Sequence, residues 1–275
     1  MGNSQKLDGG AMFGNVPKAL WSEWIQPDEK NRIQLACRAL LIQTGNKNIL
    51  LETGIGAFFN PILRERYGVE EEEHVLLTSL KAIGLSENDI DIVILSHLHF
   101  DHAGGLLSAW QPDEKPKLLF EKARYLVSKN GWERACRPHP RDRASFIPEL
   151  NELLEKSGRL VVIDREKVDL LGDEFRFMCT NGHTPGLLHT ICKESGEGMV
   201  IFASDLIPGV NWIHLPVTMG YDRYPELVID EKREMLELAV KENGRLFYTH
   251  DPKVAMSRIG REEGGRFVAV EESHH

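Results

Sequence analysis

The spacing of apolar and polar positions predicts most of the elements of this chain. Residues 91–94 (Asp-Ile-Val-Ile) are an apolar run behind one carboxylate, the pattern of a buried strand. Residues 33–43 and 49–52 read as a hairpin about the Gly45-Asn46-Lys47-Asn48 turn. Helical periodicity covers 58–67 and 74–83, the second closed by Gly84. Further strands are predicted at 123–128, 159–163, 174–179, 199–203 and 245–248, and an amphipathic helix at 230–243 stops at Gly244. Between strands, residues 130–158 form a helical insertion that includes an amphipathic helix over 145–156, placed to cover the edge where strands end. Residues 1–30 are expected to be irregular, because Gly9, Gly10, Gly14, Pro17 and Pro27 interrupt them. Their Met12, Phe13, Trp21 and Trp24 are expected to pack against the body or to reach the mouth of a site.

The chain is long enough for one large α/β domain or two small ones, and with no repeat or low-complexity segment it reads as a single domain over 1–275. Thirty-three basic against 42 acidic residues leave a net charge of -9, which argues against nucleic acid or an anionic membrane as partner. A small-molecule substrate is the expected partner, with a homodimer as the oligomer most often formed. Cys37, Cys136, Cys179 and Cys192 show no CxxC spacing, so reduced thiols are expected rather than a zinc knuckle or disulfide framework. No signal peptide or membrane span is evident, and Lys6 stands where a myristoylation motif needs Ser or Thr, so a cytoplasmic location is expected. Ser273-His274-His275 reads as an appended tail, and its histidines enter no site.

Chemistry concentrates just past the strand at 91–94. His97, His99, Asp101 and His102 fall within six residues, at a strand end, ahead of Gly104-Gly105. In extended chain His97 and His99 point the same way, and Asp101 and His102 turn back toward them at a helix start. Imidazole nitrogen and carboxylate oxygen are the ligands of borderline and hard divalent metals. A second metal needs ligands at other strand ends, and three stand there. His183 lies in Gly182-His183-Thr184-Pro185-Gly186 after the strand at 174–179. Asp205 follows the apolar run 199–203, where a carboxylate is costly unless paired or metal-bound. His250 ends the strand at 245–248. Glu52, at another strand end, either orients a ligand histidine or is a solvated surface residue. The Gly54/Gly56 pair is no dinucleotide fingerprint, since Phe59 occupies the third glycine position.

Taken together, His97-x-His99-x-Asp101-His102, Gly182-His183-Thr184-Pro185-Gly186, Asp205 and His250 resemble the ordered motifs of the metallo-β-lactamase superfamily of hydrolases. That resemblance implies an α/β fold, a four-layer αββα sandwich, and two divalent metal ions, zinc first with manganese, iron or cobalt as alternatives. It implies that His97, His99 and His183 hold one ion, that Asp101, His102 and His250 hold the other, and that Asp205 bridges them. Residues 8–14 and Asp205-Leu206-Ile207-Pro208 are similar to the branch of acyl-homoserine lactonases and methyl-parathion-type hydrolases. The implied activity is a quorum-quenching, lactonase-like hydrolase in which a hydroxide shared by both metals attacks an ester, with Asp205 fixing the pair and Asp101 passing a proton to the leaving group.

The chain departs from that pattern in places. Glu52-Thr53-Gly54 replaces Asp-Thr-Gly, Leu187 stands where relatives often carry a histidine, and Pro208 occupies the position of a lactonase tyrosine. Tyr221 is therefore the catalytic substitute at the leaving group, with His214 beside it, and Phe13, Trp132 and Trp212 are expected to touch the acyl chain. Organophosphate triesters and glutathione thioesters are alternative substrates, and a mononuclear-iron sulfur dioxygenase is the alternative from another class.

Overall fold

A computed structural model of the chain describes residues 2–194 and 198–274; His275 lies outside them. The chain divides into two compact units, Met1–Lys6 with Ala36–Asp164, and Leu7–Leu35 with Arg165–His275.

The first unit is built on a five-stranded sheet in the order Leu40–Thr44, Lys47–Leu51, Ile92–Ile94, Arg124–Ser128, Leu160–Ile163. The first two strands form the expected antiparallel hairpin, and the others join in parallel with Leu51, Ile94 and Leu126 in register. Parallel strands need crossovers, and helices supply them: Val75–Ala82 before the central strand, Lys129–Cys136 and Pro148–Lys156 before the last. Leu50, Val93, Leu95, Tyr125, Leu150 and Leu154 are fully buried in its core. The carboxyl ends of Lys47–Leu51 and Ile92–Ile94 lie at one edge and lead into Glu52 and His97, the usual place for a site in such a sheet.

A six-stranded sheet forms the second unit, in the order Phe267–His274, Val254–Arg261, Arg245–Phe247, Gly198–Phe202, Leu187–Glu194, Phe175–Thr180. Its one parallel pair, Gly198–Phe202 with Arg245–Phe247, is connected through the 17-residue helix Pro225–Lys241. Phe175–Thr180 runs the same way, being antiparallel to a strand that is itself antiparallel to Gly198–Phe202. Three strands therefore point their carboxyl ends at one edge, and His183, Asp205 and His250 follow those three ends.

Several expectations need correction. Residues 1–30 are not irregular: strand Ser4–Asp8 is followed by helices Gly9–Phe13 and Lys18–Trp24. The glycines and prolines punctuate these elements instead of abolishing them. Asp8 caps the first helix by accepting from Ala11 N, Gly14 turns out of it at φ 51°, and Pro17 sits at the N-cap of the second. Residues 33–43 are two strands, broken at 37–39. The helix predicted over 58–67 is shorter, Pro61–Arg66, because Asn60 caps it and Pro61 opens it. The helix expected at 230 starts at Pro225, a proline at its first position, with no side-chain cap from Tyr224. Strands Leu187–Glu194, Val254–Arg261 and Phe267–His274 add to those expected: the first is buried on both faces over residues 187–192 and so shows no alternation, and charged residues blur the period of the other two. Among the described residues no helix is long and apolar enough to cross a membrane.

Candidate metal centre

In the first unit the chain leaves Ile92–Ile94 in extended form, so His97 and His99 lie on one side, their ring centroids 4.3 Å apart. A short helix, Phe100–Ala103, then returns His102 to within 4.1 Å of the His97 ring. Glu52 anchors both. Its side chain is fully buried, its backbone is at φ 61°, and its Oε2 accepts from His102 Nδ1 at 2.8 Å. Left-handed backbone at a glutamate is costly and is typical of positions held by function. The other carboxylate oxygen accepts from Ser96 Oγ, which in turn lies 2.8 Å from His97 Nδ1. With both Nδ1 atoms committed as donors, His97 and His102 direct Nε2 outward as ligand atoms. Glu52, His97 and His102 place one donor atom each within 4.8 Å of one another. Asp101 is fixed as well: Gln5 Nε2 donates to its Oδ2 at 3.2 Å, and Oδ1 stands 3.7 Å from His102 Nε2.

Two neighbours shape this cluster. The backbone around Gly104 and Gly105 packs too tightly for a side chain, since a Cβ at Gly105 would collide with the Thr53 carbonyl. His74 Nε2 meets Gly105 O at 2.9 Å, and burial pushes the His74 imidazole below its ordinary pKa, so it sits there neutral. The helical insertion brings Phe146 edge-on to His99, 4.9 Å between ring centroids. A cleft of about 330 Å³ opens there, walled by Phe58, Phe59, Tyr67, Phe100, Trp110 and Phe146.

The second unit holds a group of its own. Asp205 lies between two imidazoles, Oδ2 3.2 Å from His183 Nε2 and Oδ1 3.1 Å from His250 Nε2. All three are buried. His183 Nδ1 donates to Asp222 Oδ1 at 2.9 Å, which again turns Nε2 outward, and Asp222 Oδ2 accepts from Met219 N. The turn holding His183 is tied by Asn181 Oδ1, which accepts from Gly186 N, with Gly186 at φ 77°. Each carboxylate oxygen of Asp205 thus faces one of the two histidines. Buried carboxylates with converging imidazole nitrogens, braced from behind, fit a divalent metal.

The remaining predicted residues are scattered. Phe13 and Trp212, expected at the acyl chain, are interior instead: they stack on each other at 4.6 Å, Phe13 also stacks on Trp21, and Trp212 Nε1 donates to Met12 O. Aromatic surface of that size is worth more buried in the core than at a mouth. Trp132 is half-buried against the core of the first unit. Tyr221 is 43% exposed on the turn before the long helix. His214 is exposed on the loop between Asp205 and that helix, its pKa lowered by burial and by the positive charges of Arg266 and Lys232.

Reading the sequence missed Ser96 as a link, Gln5, and Asp222. None has a local signal. Gln5 and Asp101 are 96 positions apart, and Asp222 stands 39 from His183.

The family model described as the metallo-β-lactamase superfamily matches residues 32–250. The chain belongs to that superfamily. An N-acyl homoserine lactonase of Bacillus cereus is 26% identical over 231 residues, 80% of this chain and 83% of the relative. A probable metal-dependent hydrolase from Staphylococcus aureus superposes with a TM-score of 0.85 at 27% identity, covering 98% of this chain and 95% of that one. AidC, a dizinc quorum-quenching lactonase, superposes at 0.76 with 24% identity, covering 99% and 92%. Membership and the metallo-β-lactamase fold expected from the motifs are thereby shown, with mixed sheets and flanking helices in each unit. Curated lactonases support the lactonase-like branch of the superfamily.

Proposed function

We propose that this protein is a dinuclear-metal hydrolase that opens lactones carrying an apolar acyl chain, as acyl-homoserine lactones do. His97, His99 and His183 are assigned to one ion, Asp101, His102 and His250 to the other, and Asp205 to both. Zinc is the first assignment for the metal. A metal pair bound there supplies a hydroxide nucleophile at neutral pH and a Lewis acid for the ester carbonyl.

The chain's own residues do the rest. Glu52 and Asp222 hold imidazole tautomers so that Nε2 faces the metals. Asp101, held at Oδ2 by Gln5, is assigned to carry a proton to the leaving alkoxide. Tyr221 is retained as an assistant at the leaving oxygen, a role that unchanged turnover in Tyr221→Phe would remove.

The observation that carries the substrate class is the aromatic cleft beside His99. Phe100 lies between His99 and Asp101 in sequence and lines that cleft with Phe146, so an apolar tail there places its ester end toward the ligand cluster of the same unit. The test is proton release from acyl-homoserine lactones of graded chain length, with Asp205→Asn as control. Metal-replete protein should release protons, the control should not, and kcat/KM should rise about fourfold per buried methylene until the cleft is full. No release from protein verified to hold two metals per chain would overturn the lactone reading and turn the assay to phosphotriesters and thioesters. One iron per chain would point instead to the dioxygenase.

A further inference from the structure

We propose that the helix Pro225–Lys241 is the positioning element for His183, acting through the adjacent side chains Glu231 and Lys232. The inference concerns His183 as a ligand and so rests on the functional reading above, but its test does not depend on turnover.

Lys232 is fully buried. Its Nζ donates to Trp212 O at 2.9 Å, His214 O at 3.0 Å and Val217 O at 2.7 Å. Burial pushes its pKa from 10.5 down to about 7; in the ammonium form, which the three carbonyls and Asp222 favour, Nζ carries one proton for each carbonyl. All three belong to one connection over residues 210–217, which opens with the 3-10 turn Val210–Ile213. Two residues beyond Val217, Met219 N donates to Asp222 Oδ2 at 2.7 Å, and Asp222 Oδ1 holds His183 Nδ1. The loop is also stitched to the histidine turn by main chain: Arg223 N donates to His183 O and Tyr224 N to Gly182 O.

Glu231 acts from the other side. Its two carboxylate oxygens accept from Asn181 N at 2.6 Å and Gly182 N at 2.9 Å. The approach is close enough that a Cβ at Gly182 would lie 2.6 Å from Val228 N and 2.8 Å from Glu231 Oε2. One helix thus grips the main chain entering His183 and the loop that carries its carboxylate partner. A buried lysine is expensive where an apolar side chain would fill the same space. What an apolar residue cannot supply is donors for three inward-turned carbonyls. A methionine at 232 would free the loop, and Asp222 with it.

The experiment follows the His183 Nδ1–H proton by NMR in the zinc-loaded protein, together with zinc affinity against a competing chelator. The downfield imidazole resonance is assigned by its loss in Asp222→Asn. In Lys232→Met, and more mildly in Glu231→Gln, it should shift and exchange faster, with zinc affinity down 10- to 100-fold. Met235→Ala is the control: Met235 is buried on the same helix, in the same apolar core, but its thioether forms none of these hydrogen bonds. It should lower the melting temperature and leave both readouts in place. If Lys232→Met does not fold, Glu231→Gln carries the test. An unmoved resonance with unchanged zinc affinity in the folded variants would overturn the proposal. So would equal effects from Met235→Ala at a matched loss of stability. A moved resonance in a protein without lactone turnover would leave this inference standing and remove only the functional reading.

Discussion

His102 Nδ1 donates to Glu52 Oε2 across 2.8 Å, and neither side chain has any exposed surface. The pair joins two strand ends that are neighbours in the sheet, since Leu51 and Ile94 are in register. Through Ser96 the same carboxylate also steadies His97. One residue therefore braces two of the histidines assigned to different metals.

Glu52→Gln should keep the packing and lose the charge that braces both rings. Zinc affinity is expected to fall 10- to 100-fold, read as zinc retained per chain in competition with a chelator. Retention equal to the unmodified protein would reduce Glu52 to a packing residue.

His189 should set part of the acid limit of stability. It is fully buried, its Nδ1 donates to Phe202 O and its Nε2 faces Thr180 Oγ1, both compatible with a neutral ring. Burial pushes its pKa from 6.5 down to about 4. The unfolded chain then takes up a proton first as pH falls. Stability from this group is complete above pH 6.5 and is lost toward pH 4, by on the order of 3 kcal/mol. Urea midpoints between pH 7 and about 4 should fall less steeply in His189→Gln; equal slopes would assign the acid limit to other groups.

Gly105→Ala should be costly although the change is one methyl group. Its Cβ would collide with the Thr53 carbonyl, and backbone cannot swing away as a side chain can. Overpacking of this kind costs about 1–3 kcal/mol. Chemical denaturation measures it, and a midpoint within error of the parent would show that the loop gives way.

The sequence by itself pointed to the candidate metal-binding residues. Each is a costly polar residue at the end of an apolar run, and a pattern of local strands and spacings is enough to find it. His97, His99, Asp101 and His102 converge because alternation and one helical turn bring them together, which is local geometry. Asp205 stands out because a carboxylate past a buried strand needs a partner. The edge strand Phe267–His274 and its neighbour Val254–Arg261 carry charges on their exposed faces that blur the period. Only the tertiary structure decided what stands behind the ligands. Which carboxylate faces His183, what holds Asp101, and why a lysine lies in the core all depend on loops meeting across tens of residues. Hydrogen bonds of that kind leave no periodicity in the chain. They are specified by packing, which also drew Phe13 and Trp212 into the interior, where their area is worth more than at a substrate's edge.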